Sequence, residues 1–203
     1  MFGGAFDPPH LAHRALAEAA LDQLGLDALH IMPTGQAWHK ARPLSAAKHR
    51  VAMCQLAFGD LPRTQIDQRE INRQGPSYTA DTLAELAREY PGATLFLVLG
   101  ADQLLAFKSW VHWPEVLAQA RLAVANRAVN IGADAALDQR EEMDISIVDL
   151  PFVRLSMPLK NISASAVRSR AEQPAAHAAA VARLVPEGVA SYISDHSLYQ
   201  DPS

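Results

Sequence analysis

The chain has 203 residues, 49% hydrophobic and 20% charged, enough for one domain with a sizeable core. Its net charge of -4 gives no general argument for nucleic acid or an anionic membrane as partner, so an anionic ligand must be held by a few placed cations and backbone N–H groups. Cys54 is the single cysteine, which excludes a disulfide framework and a thiolate zinc cluster and suits a reducing cytoplasm. No apolar run reaches the roughly 20 residues that span a bilayer, and Asp7, two glycines and two prolines stand where a signal peptide would be apolar.

In chain order, the first pattern is a loop, GGAFDPPH (Gly3 to His10), running into LAHRALAEAALDQLG, a predicted helix with Gly25 as its stop. ALHIMP predicts a short strand closed by Pro33, and Ser45 is placed to cap a helix over SAAKHRVAMCQLAF. TQIDQREI predicts another short strand. Ser77 or Thr79 then opens the helix TADTLAELAREY. TLFLVLG, Thr94 to Gly100, is the clearest strand, continuously apolar as parallel strands tend to be. A helix over WPEVLAQA and a strand over RLAVANR follow. After a charged, irregular segment around Asp134 to Asp144 come the apolar runs ISIVDL and VRLSM, and from Ser163 the tail reads as helices interrupted near Gln173-Pro174 and Pro186. Strands alternating with helices predict an α/β fold with a mainly parallel sheet flanked by helices. The whole chain, 1–203, reads as one domain, with 163–203 its helical end. Ligands in such sheets sit beyond the carboxyl ends of strands, near a switch in strand order.

The opening loop carries the chemistry. Gly3 and Gly4 let backbone approach a ligand closely. His10 and His13 sit three apart near the first turn of a helix, so both imidazoles share a face where free N–H groups and the helix dipole favour an anion. That combination suits a phosphate whose charge grows in a transition state. Two half-exposed histidines, or a metal held with Asp7, are the alternatives at this point. Neither G-x-G-x-x-G nor G-x-x-x-x-G-K-[ST] occurs. A second cradle lies in ISASAVR, where Ser163 and Ser165 offer hydroxyls at a helix start and Arg168 a cation one turn on.

GGAFDPPHLAH resembles the G-G-x-F-D-P-x-H-x-G-H signature of adenylyltransferases in the nucleotidyltransferase superfamily, with Ala12 at the usual glycine. ISASAVR resembles its I-S-x-T-x-x-R, with Ser165 for threonine. GPSYTADTL, LGADQLLAFKSWVHWPEVL, VPEGVASYISDHSLY and the loop PTGQAWHK narrow the resemblance to bacterial nicotinate-mononucleotide adenylyltransferases, along nearly the whole chain. The resemblance implies a Rossmann-like sheet of the nucleotidyltransferase type. It implies AMP transfer from ATP to nicotinate mononucleotide, giving deamido-NAD and pyrophosphate, with Mg²⁺ arriving on ATP and no dedicated protein metal site. By the same resemblance His10, His13 and Arg168 are catalytic, while Gly3, Gly4, Phe6, Asp102, Ser163 and Ser165 complete the ATP site. The acceptor falls to Lys40, Tyr78, Thr79, Trp110 and Arg127. Trp110 offers a flat face to the pyridine ring, and the Tyr78–Thr79 helix start offers backbone N–H groups to the nicotinate carboxylate, favouring acid over amide.

The chain departs from the family elsewhere too. Arg127 lies in NRAV where the family often has Arg-Arg-Pro-Gly. His39, His49 and His112 receive no role. Only Met1 and Phe2 precede Gly3, where the family carries several apolar residues, so unpaired neighbouring strands and reduced stability are expected. Rivals are another transferase of the superfamily, such as the phosphopantetheine enzyme, an inactive nucleotide-binding protein, and a metal-dependent hydrolase. Trp38, Trp113 and Phe152 fit either a core or an interface between copies, leaving the oligomeric state open.

Overall fold

The strand at 96–100 is apolar throughout because it has a core on each side. Leu97 and Leu99 face one buried cluster and Val98 the other. The same alternation runs through the neighbouring strand, with Leu122 and Val124 on one side and Ala123 and Ala125 on the other. The computed structural model of the chain describes residues 1–35, 43–125, 128–130, 140–142, 144–158, 162–172 and 177–200.

Its strands are β1 (Phe2–Gly4), β2 (Leu29–Pro33), β3 (Thr64–Ile66), β4 (Phe96–Gly100), β5 (Arg121–Ala125), β6 (Ala128–Asn130), β7 (Arg140–Glu142) and β8 (Phe152–Leu155). β1, β2 and β3 pair in parallel, as do β4, β5 and β8. Met1 joins the two sets: its nitrogen donates to the Phe96 carbonyl at 2.8 Å, and its carbonyl accepts from Val98 N–H at 2.9 Å. The spatial order is therefore β3-β2-β1-β4-β5-β8. Residues 1–4 find partners on both sides, so β2 and β4 are not left unpaired as expected from the short lead-in. The chain winds outward from β1 to β3, then crosses to β4 and winds the other way. The reversal leaves a crevice between the carboxyl ends of β1 and β4.

Helices α1 (Leu11–Leu24), α2 (Ala47–Phe58), α7 (Ala164–Ala171), α8 (His177–Ala182) and α9 (Glu187–Asp195) cover one face. Val167, Val181, Val189 and Ile193 of the tail belong to the same core as Phe2, Ile31 and Phe58. The other face holds α4 (Thr79–Glu89), α5 (Ala101–Leu105) and α6 (Trp113–Gln119). The short α3 (Arg69–Asn72) lies against β2. Trp113 and Phe152 pack on this second core.

Several local expectations are corrected. TQIDQREI is strand only to Ile66, because Asp67 accepts from Arg69 N–H and starts α3. Gly100 ends β4 and the chain enters α5 directly, a helix hidden in an apolar run. ISIVDL forms turns, with Ile145 alone buried in the second core. Within the segment expected to be irregular, 140–142 is a strand antiparallel to 128–130, and 134–139 lie outside the described residues. Ser45 does not cap α2; Ala46 holds that position with no side-chain bond.

Candidate active site

His10 is the N-cap residue of α1 and His13 the third residue of its first turn. Each caps the other. The His13 N–H donates to His10 Nδ1 at 3.4 Å, and the His10 N–H donates to His13 Nδ1 at 3.2 Å. This is the reciprocal box usually built from Ser or Thr with Glu or Gln, here made of two imidazoles. The rings stack with centroids 3.6 Å apart and planes 17° from parallel. An Nδ1 that accepts from a backbone N–H holds a lone pair, so the hydrogen-bond network assigns the proton of each neutral ring to Nε2. Two Nε2–H donors are thus fixed at the positive end of a 14-residue helix.

Phe6 stands beneath them with φ 46°, its ring edge-on to His13 at 5.2 Å and to Phe58 at 5.6 Å. Gly4 has no Cβ because one would lie 3.1 Å from that ring. The room at Gly4 is taken by Phe6 rather than left open. Thr34 N–H donates to the Gly4 carbonyl at 2.9 Å, tying the loop to the end of β2.

Ser163 caps α7, its hydroxyl accepting from Ala166 N–H at 3.1 Å. Arg168, one turn on, donates to the Ser165 hydroxyl at 3.1 Å and to the Asp7 carbonyl at 2.7 Å. The two sequence cradles are therefore one assembly. Asp102 opens α5 across the crevice, just after Gly100, where a Cβ would meet nothing within 4 Å. Placed at the carboxyl ends of β1 and β4, these groups flank the switch point.

Tyr78 is the N-cap of α4, with no side-chain cap bond, and Thr79 is the first helical residue. Ser77 instead donates its hydroxyl to the Glu70 carbonyl at 3.3 Å. The Tyr78 ring meets His112 edge-on at 5.6 Å, and His112, at φ 62°, caps α6. Trp110 is half-buried, tilted on Phe107 at 5.3 Å, against the core that contains Ala101. Tyr78 and His112 thus meet on the β4 side, with Thr79 and Trp110 close to them along the chain; His112 received no role from its sequence neighbourhood. Lys40, Arg127, Trp38 and His39 lie outside the described residues. His49, also without a predicted role, bonds Tyr192 at 3.0 Å between α2 and α9.

Sequence reasoning missed the residues that hold the loop. Asp7, 2% exposed, accepts from Ser45 N–H at 3.1 Å and from the Tyr199 hydroxyl at 2.6 Å. Burial, with the Asp7 charge beside it, pushes the Tyr199 hydroxyl far above its ordinary range, so it remains a donor. Arg50, equally buried, donates to the carbonyls of Ala5 and Ser45, both at 3.0 Å. Burial lowers its pKa and the Asp7 charge opposes that. Only the Asp in the signature and the terminal SLY hinted at this, and neither names its partner.

Asp7 is committed to these anchors, and each histidine Nδ1 to a backbone N–H, which leaves the metal-hydrolase arrangement without its ligand set. Among the described residues no group of three or more His, Cys, Asp or Glu is arranged to hold a metal ion. Nor is any described helix long and apolar enough to cross a membrane.

A family model described as cytidylyltransferase-like matches residues 1–170. The chain belongs to the cytidylyltransferase-like family. A protein of Albidiferax ferrireducens named "Probable nicotinate-nucleotide adenylyltransferase" is 51% identical over 200 residues, 98% of this chain and 96% of that protein. A like-named protein of Methylibium petroleiphilum is 37% identical over 202 residues, 100% of this chain and 92% of that protein. Among solved structures, Plasmodium falciparum nicotinic acid mononucleotide adenylyltransferase complexed with APC superposes with a TM-score of 0.76 at 17% identity, covering 98% of this chain and 94% of that one. The fold of this cytidylyltransferase-like chain is thus the nucleotidyltransferase sheet that the motif resemblance implied, and its sequence is homologous to nicotinate-nucleotide adenylyltransferases over nearly its whole length.

Proposed function

We propose that this chain transfers AMP from ATP to nicotinate mononucleotide, with His10, His13 and Arg168 acting on the phosphates. The observation that carries the residue roles is the reciprocal cap of His10 and His13, which fixes two Nε2–H donors at a helix N-terminus beside the switch point. The acceptor's phosphate oxygen attacks the α-phosphorus of ATP, the bond to the bridging oxygen breaks, and pyrophosphate leaves. No protein nucleophile is required, because the attacking oxygen is already anionic. Catalysis is then positioning and charge stabilisation.

His10 and His13 donate to the α-phosphate oxygens as their charge grows. Arg168, with Ser163 and Ser165 at the start of α7, holds the pyrophosphate side. Gly3, Gly4 and Phe6 form the floor of the phosphate site, and Asp102 accepts from ribose hydroxyls. Trp110 stacks on the pyridine ring and the Tyr78–Thr79 helix start receives the nicotinate carboxylate, with Lys40 and Arg127 as the cations for the acceptor phosphate. Mg²⁺ would come with the ATP phosphates and neutralise their charge. A single, buried cysteine, Cys54, with no disulfide framework is in keeping with work in a reducing cytoplasm.

The test is pyrophosphate release from Mg-ATP with nicotinate mononucleotide, nicotinamide mononucleotide or phosphopantetheine as acceptor. Release with nicotinate mononucleotide is expected. Comparable release with the amide would remove the carboxylate argument at Tyr78 and Thr79, and release with phosphopantetheine alone would overturn the acceptor assignment. ATP binding with no release would make the chain a binding protein.

A further inference from the structure

We infer that Tyr199 is a positioning residue for nucleotidyl transfer, acting through Asp7 on the loop that ends in His10. The inference rests on the reading of this site as the place of AMP transfer. Tyr199 lies 192 residues from Asp7 in sequence, yet its hydroxyl donates to Asp7 Oδ1 at 2.6 Å. Asp7 Oδ2 takes the Ser45 N–H, and the Asp7 carbonyl takes Arg168 Nη1. One residue therefore links the C-terminal segment, the entry to α2 and the cation assigned to pyrophosphate.

The linkage reaches the histidines through a stiff connection. Only Pro8 and Pro9 separate Asp7 from His10, and proline fixes its own φ, so the orientation of Asp7 passes to the N-cap with little slack. The Leu11 N–H of that first turn is itself held by the Leu184 carbonyl at 2.9 Å, a second tie from the tail. Tyr199 reaches its place after α9 by way of Ser197 at φ 47° and sits at φ 66° itself. Positive φ in a tyrosine is uncommon and strained, so the surrounding contacts must hold it there. Packing alone would be served as well by phenylalanine. A hydroxyl placed on a buried carboxylate serves to aim that carboxylate.

The experiment is a cycle of Tyr199→Phe, Asp7→Asn and the double variant in the full chain, reading kcat, the KM for each substrate and Tm. Tyr199→Phe is expected to lower kcat about tenfold, with the KM for the mononucleotide within about twofold. The double variant is expected to be no slower than Asp7→Asn alone, because both changes break the same link. Multiplying losses would overturn the inference, as would Tyr199→Phe with a lowered Tm and kcat within about twofold of the parent. Should Asp7→Asn fail to fold, that second comparison alone decides. If the parent works only with a different acceptor, the acceptor reading falls and the cycle is read with that acceptor; release with no acceptor overturns both.

Discussion

The rings of His10 and His13 lie face to face, 3.6 Å between centroids, while each Nδ1 takes the other residue's backbone N–H. One pair of side chains thus completes a helix N-terminus and defines the tautomer of two imidazole donors proposed to act on phosphate. In most proteins these tasks fall to different residues. The coupling means that stability and rate should separate under the right substitution.

His13→Gln makes that separation. Glutamine at the third position is the usual partner in a capping box, so its side-chain oxygen can still accept from the residue-10 N–H. Stability should stay within about 0.5 kcal/mol of the parent, whereas His13→Ala should lose about 1 kcal/mol. The amide carries its donor at a different reach from Nε2, so kcat for pyrophosphate release should fall about 10²–10³-fold in both variants. Thermal melts and initial rates on the two proteins check this. A His13→Gln enzyme with near-parent kcat would leave the ring a structural part only.

Gly4 and Gly100 flank the crevice and should respond differently to alanine. At Gly4 the added Cβ meets the Phe6 ring at 3.1 Å, and that ring is confined by Phe2, His13 and Phe58. Overpacking of this kind costs about 1–3 kcal/mol, and Gly4→Ala should melt several degrees lower. At Gly100 the added Cβ meets nothing within 4 Å and φ is -81°, which alanine adopts readily. Gly100→Ala should therefore keep its Tm. If the nucleotide passes close to this backbone, it should raise the KM for ATP instead; unchanged Tm and KM together would place the nucleotide elsewhere.

The alternation of strands and helices was legible because local periodicity records which face is buried. Leu97 to Leu99 could be read as a strand with two covered faces before any contact was known. The two groupings proposed as phosphate cradles were legible for a similar reason, since His10 with His13 and Ser165 with Arg168 are spaced for one helix face. Partner choice was not. Ser45 has the chemistry of a cap, yet its N–H goes to Asp7 and its carbonyl to Arg50, because the loop 38 residues earlier needs anchoring there. Tyr199 and Asp7 meet only once the sheet has brought the chain ends together, and no local pattern encodes that. The helix after Gly100 was hidden because it continues an apolar run without a break in composition.

Glu70 gives a pH signature. Burial raises its carboxyl above the ordinary range, against the hydrogen bond from Thr82 at 2.9 Å and the charge of Arg73. For an acid with a raised native pKa, the native state holds the proton more tightly. Its contribution is therefore full below the ordinary value of about 4.3 and is lost as pH rises through the native value. Glu70→Gln keeps an oxygen for the Thr82 hydroxyl and removes the charge. Its Tm should exceed the parent's at pH 7.5 and match it near pH 4. A lower Tm at pH 7.5 would mean that the Arg73 charge outweighs burial.

Substitution at Trp110 tests the proposed acceptor site apart from the ATP site. Its ring covers Phe107 at 5.3 Å, so truncation to alanine uncovers core and should lower Tm whatever its function. Stacking of a flat heterocycle on an aromatic side chain contributes about 1–3 kcal/mol by alanine substitution, which predicts a KM for nicotinate mononucleotide raised about tenfold or more. The KM for ATP should hold within about twofold, because the groups proposed to act on its phosphates, His10, His13 and Arg168, belong to the β1 side of the crevice. Trp110→Phe keeps an aromatic face and should recover most of the acceptor KM. Matching losses on both substrates, or no recovery with phenylalanine, would return Trp110 to the core and leave the pyridine ring to Tyr78 and His112, whose rings already meet at 5.6 Å.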